Sequence, residues 1–149
     1  MRLVGSISAV ALAATLAVGC SDTVAPNEVT LDDLAGNWSA TSLEFTNVAN
    51  TSQVFDLVAN GGTFTLTLQS AGTFSGAQSL AGQTETLTGT VSVSNGTLTL
   101  TETGETLSFT ITAYDGDTIT IASTTNVSWD FGFDGQDEEA SITAKLQRQ

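Results

Sequence analysis

Histidine is absent from this 149-residue chain, cysteine and proline occur once each, and Lys plus Arg number three against 16 Asp plus Glu. Each scarcity excludes something. Without histidine there is no Ser-His or Cys-His dyad, and the commonest general base and metal ligand are missing. A single cysteine, Cys20, allows no intramolecular disulfide. The three cations, Arg2, Lys145 and Arg148, are too few to neutralise a run of phosphates, which excludes nucleic acid as a partner. The only proline, Pro26, stands near the N-terminus and leaves the rest of the chain free of that breaker. The formal charge of −13 favours a monomer kept in solution by self-repulsion.

The first twenty residues differ in kind from the rest. Arg2 precedes residues 3–18, which hold no acid or base and are rich in Ala, Leu and Val. That stretch falls short of the ~20 apolar residues of a membrane span, but it has the proportions of a signal-peptide core. It ends in Leu16-Ala17-Val18-Gly19-Cys20. Small residues directly before a cysteine resemble the lipobox of bacterial lipoproteins, with Ala17 in place of the commoner Leu. The resemblance implies that residues 1–19 are a signal peptide and that Cys20 is acylated as the mature N-terminus. Residues 20–30 then form a lipidated flexible leader, and residues 31–149 a single domain. It further implies a lipid-anchored protein of the cell envelope, and Ser21 after the cysteine points to the outer membrane. Acyl chains hold a membrane at ~0.8 kcal/mol per buried methylene. The surface adds nothing to that hold: without Arg2, two cations face 16 acids, a formal −14 that repels anionic head groups.

From Gly36 onward the pattern has a period of two, the signature of half-buried strands. Phe64, Leu66 and Leu68 alternate with threonines, as do Leu98 and Leu100. Leu107, Phe109, Ile111 and Ala113 form the longest run. Val127, Trp129, Phe131 and Phe133 make another, and Ile142, Ala144 and Leu146 close the chain. Gly61-Gly62, Asn95-Gly96, Gly104-Glu105, Asp115-Gly116 and Asp134-Gly135 break these runs with hairpin chemistry. Before the strands, Thr30-Leu31-Asp32-Asp33-Leu34 fits one capped helical turn. The expected fold is all-β: an antiparallel up-and-down barrel of 8–10 strands, preceded by a short helical turn. Leu43 and Phe45 have the opposite parity to Trp38, which calls for a bulge in the first strand.

The helical turn leads into Gly36-Asn37-Trp38, and this Gly-x-Trp resembles the opening motif of lipocalins and lipocalin-like lipoproteins. In that family the Trp plugs the closed end of the barrel and a basic residue of the last strand packs over it. The resemblance assigns Gly36, Trp38 and Arg148 to the barrel-closing motif. Arg148 shares the face of Ile142, Ala144 and Leu146, whereas Lys145 lies on the other. A small apolar ligand is the partner the family implies, in a cavity walled by Phe64, Leu66, Leu68, Phe109 and Ile111. Gly76, Gly89 and Ala113 among them leave gaps that open a cavity or fit the taper of a solid core. No charged residue is expected among the inward positions of the middle strands. The acids of residues 130–139 invite a calcium reading, but Gly132 and Ser141 stand where the EF-hand pattern needs ligands. No metal or other cofactor is implied, and no catalytic residue is assigned. The leading reading is a non-enzymatic carrier or binder of a small apolar molecule. The alternative is a structural or adhesive envelope domain with a solid core.

Overall fold

The computed structural model describes residues 24–149. The signal-peptide reading of residues 1–19, acylation at Cys20 and the first part of the leader lie outside the described residues.

Ten strands form one antiparallel sheet: β1 (Gly36–Asn47), β2 (Val54–Asp56), β3 (Thr63–Gln69), β4 (Thr73–Leu80), β5 (Gln83–Ser94), β6 (Thr97–Glu102), β7 (Glu105–Tyr114), β8 (Thr118–Ser123), β9 (Val127–Trp129) and β10 (Glu138–Arg148). The spatial order is β2-β1-β3-β4-β5-β6-β7-β8-β10-β9, and pairing of β1 with β10 closes it. The result is an up-and-down barrel of eight strands. Short β2 and β9 are not barrel staves. β3 pairs with β1 only over Gly36–Ser39, and β2 takes the same edge of β1 higher up, at Glu44–Thr46. β9 does the same for β10 above β8.

β1 changes parity at a bulge between Ala40 and Ser42, which brings Trp38, Leu43 and Phe45 to one buried face. A second bulge, between Ile111 and Ala113 in β7, has the opposite consequence for an expected inward residue. Ala113 turns out to solvent and Tyr114 takes its place inside. The strand expected through Phe133 stops at Trp129. There the Asp130 carboxylate accepts the backbone N–H groups of Asp134 (3.2 Å) and Gly135 (2.8 Å), and this local bonding replaces the ladder.

The leader also differs from expectation. Residues 24–30 are seated on the barrel, with Val29 fully buried and Val24 packed on the core. A single 3-10 turn, Pro26–Glu28, lies against Gly96 in the β5–β6 turn. The folded unit therefore begins before residue 31, because apolar Val24 and Val29 have barrel surface to cover.

Candidate functional site

The two ends of the barrel are built differently. The closed end starts with α1 (Leu31–Leu34), a single turn. Its N-terminus is a capping box: the Thr30 hydroxyl accepts from the Asp33 N–H and donates to the Asp33 carboxylate, which also accepts the Thr30 N–H. The Thr30 hydroxyl and then the Thr30 N–H hold the Asp33 carboxyl below its ordinary pKa, against a small opposing effect of burial.

The C-terminus of α1 leaves carbonyls without helical partners. Three side chains satisfy them. Trp38 Nε1 donates to Leu34 O at 2.9 Å, and Tyr114 Oη donates to Asp33 O at 2.7 Å. Arg148 does more. Its Nη1 donates to Ala35 O (2.8 Å), its Nη2 to Asp33 O (2.7 Å), and its Nε to Gly116 O in the β7–β8 turn (2.8 Å). Trp38 and Arg148 are cross-strand partners in the β1–β10 ladder, and the guanidinium carbon lies 4.3 Å from the centroid of the Trp38 ring. A cation over an indole face and beside a helix C-terminus is favoured on both counts.

Gly36 has a specific reason to be glycine. Its φ is +144°, and a Cβ there would come within 2.6 Å of Arg148 Nη1. The three residues of the barrel-closing motif thus make one contact set. Tyr114 belongs to it too and was missed in sequence, because the β7 bulge that turns it inward has no local signature.

The other end opens into a chamber of about 240 Å³, walled by all eight barrel strands and β9. Of the residues assigned to a cavity, Phe64, Leu66 and Phe109 line it. Leu68 and Ile111 do not, although both are buried in the core. Alternation reports which face a side chain takes and not its height along the barrel.

The expected gaps do not make the chamber either. A Cβ at Gly89 would collide with the Thr101 carbonyl oxygen, so the absent side chain makes room for a neighbouring strand. Gly76 is likewise crowded by Thr65 O, and Ala113 faces out. The space lies among side chains of the upper barrel, and Ala144 of β10 is a small residue of its lining.

Three polar residues of the wall, Gln78, Glu85 and Ser128, were also missed. Glu85 and Gln78 line the chamber and are directly paired across the β4–β5 ladder. This corrects the expectation that the middle strands carry no inward charge. Glu85 shares the parity of Leu87 and stands at the exposed upper end of β5.

Beside it the wall is incomplete. β5 pairs with β6 only from Thr90 downward, and above that point the two strands part. The Glu102 carboxylate bridges the gap by accepting the Thr88 N–H at 3.1 Å. A recess of about 60 Å³ lies there, between Leu87, Leu100 and Leu107, with Glu102 and Glu105 on its margin.

Aromatic rings crowd the mouth. Trp129 stacks on Phe45 with centroids 4.0 Å apart, and Phe55 and Phe133 continue the series. Phe133 is 65% exposed and has a φ of +52°, a strained setting for a bulky residue. Trp129 Nε1 is buried without a hydrogen-bond partner, alone in this among side-chain atoms of the described residues. The acidic loop does not converge on a cation. Asp130 is occupied by its own loop's N–H groups, and no group of three or more metal-binding side chains exists among the described residues.

No protein-family model and no curated protein matches the chain. Among solved structures, the chain is similar to a redesigned beta barrel at 17% identity and a TM-score of 0.45, over 80% of this chain and 95% of that one. A likeness of that degree says nothing about what this chain binds.

Proposed function

We propose that the protein is a lipid-anchored, lipocalin-like barrel of the cell envelope, held through Cys20, that binds a small apolar molecule in its open end. The observation that carries this reading is the apolar chamber of about 240 Å³ above a fully packed floor. A cavity of ~150 Å³ holds benzene, so by proportion this one suits roughly ten non-hydrogen atoms. The contact set of Gly36, Trp38 and Arg148 supports the lipocalin resemblance, since it builds a closed end of the kind that family uses. The described chain enters at that closed end, through Pro26–Glu28, so an anchor at Cys20 leaves the mouth clear. The unpartnered Trp129 Nε1 and the strained Phe133 cluster at the mouth, where unsatisfied or strained groups are tolerated for function.

Two experiments test the two parts. Labelled palmitate should enter the wild type and not Cys20→Ala, and uptake by neither would end the anchor reading. Native mass spectrometry of the protein purified from cells should reveal a small apolar passenger. A bare protein that also takes up no apolar compound from a panel of this size would favour the structural alternative.

A further inference from the structure

Resting on that ligand-binding reading, we propose that the chamber selects amphiphiles with a cationic head: the apolar body lies against Phe64 and Phe109 and an ammonium group meets Glu85 at the mouth. The wall is apolar except for Gln78, Glu85 and Ser128, so its one formal charge is the Glu85 carboxylate. Glu85 is exposed at the upper end of β5, where a head group stays hydrated while its tail is buried. The adjoining break in the β5–β6 seam places Glu102 and Glu105 on the same side of the mouth and deepens the negative potential.

Among the described residues, no cationic side chain stands at this end to pair with an anion. Arg148 and Lys145 are the two cations among the described residues. Arg148 is committed to carbonyl oxygens at the closed end, and Lys145 has the outward parity, between Ala144 and Leu146. A carboxylate head would therefore face Glu85 unpaired, which costs affinity.

The test uses three probes with one tail: octylammonium, 1-octanol and octanoate. They are titrated at physiological salt into the full chain bearing Cys20→Ser, so that no acyl group competes. Octylammonium should bind roughly two- to fivefold tighter than octanol, the range for one exposed, partly screened charge pair, and octanoate should bind weakest. Glu85→Gln should erase the preference for octylammonium over octanol. Asp117→Asn, at the closed end, removes the same unit of net charge and should preserve the preference, which separates a contact from the general field. Octanol or octanoate binding as tightly as octylammonium, or a preference that survives Glu85→Gln, overturns the proposal and leaves the apolar site standing. Binding of none of the three removes the site itself.

Discussion

The lower and upper halves of this barrel are made by the same strands from the same residue types, yet one is a solid and the other a vessel. Below, Trp38, Leu98 and Ile111 are each 1% exposed, and the end carbonyls of α1 find Trp38, Tyr114 and Arg148. Above, Phe64, Leu87, Leu100 and Ile142 are only half-buried, around about 240 Å³ of space. Composition does not separate the halves, since Leu, Ile, Phe and Thr alternate through both. The difference is the cover. A four-residue helix and one arginine seal the bottom, and among the described residues no helix seals the top. The end carbonyls of the helix are matched at the bottom, and the one unmatched buried side-chain group among the described residues, Trp129 Nε1, lies at the top.

Substitutions can break this contrast or sharpen it. The largest expected effect is Trp38→Ala, about 3–5 kcal/mol by denaturant unfolding, for a large core truncation that also strips Leu34 O of its donor. Phe64→Ala, a truncation at the chamber wall, should cost well under half as much, because space already lies beside it. Equal losses would mean that the chamber is closed in solution. Arg148→Met comes next, at about 2–3 kcal/mol for carbonyls left without a charged donor. The residue is one from the terminus but does not fray: its N–H donates to Asp117 O, and the Gln149 N–H to Asn37 O.

Much of this was legible in sequence, and the remainder was hidden for identifiable reasons. Period-two alternation carries the strands and their inward faces, and the parity change between Trp38 and Leu43 marks the bulge of β1. Turn chemistry carries Asn95-Gly96, with both residues at positive φ. It does not carry Ala81-Gly82, whose Ala81 adopts the same left-handed backbone without the residue type that signals it, and it sets the β6–β7 turn at Gly104-Glu105, one residue later than the Thr103-Gly104 pair that makes it. Height along the barrel has no periodic signature, so Leu68 and Ile111 could not be told from Leu66 and Phe109. Glycine at position 89 reads as empty space in a sequence and is filled by a neighbour's carbonyl in the fold. Glu85 keeps the parity of Leu87, but its neighbours Gln83, Thr84 and Thr86 are all polar and give no hydrophobic alternation to mark the start of the strand.

A smaller effect concerns acid. Burial pushes the Asp56 carboxyl up, but bonds from the Ala59, Leu43 and Val58 N–H groups and the Ser42 hydroxyl outweigh it and hold the pKa below its ordinary value. These bonds brace the turn from β2 toward β3 at the open end. A carboxyl depressed in the folded state contributes stability above its unfolded pKa of ~3.9 and loses it as pH falls through the folded value. Asp56→Asn should thus lower stability by about 1 kcal/mol at pH 7. The gap from wild type should hold down to about pH 5 and shrink below about pH 4. A gap that widens in acid would reverse the assignment.

The smallest expected change in stability belongs to Ala144→Leu, which adds volume inside the chamber and should leave stability unchanged or raise it by up to ~1 kcal/mol. The same variant provides the most direct test of the upper half as a vessel, through calorimetric titration with 1-octanol beside the wild type. The wild type should bind one equivalent saturably, and Ala144→Leu should bind none while melting at or above the wild-type temperature. Destabilisation of Ala144→Leu by several kcal/mol with octanol binding unchanged would contradict the account, for it would mean that the space beside Ala144 is packed and the ligand sits elsewhere.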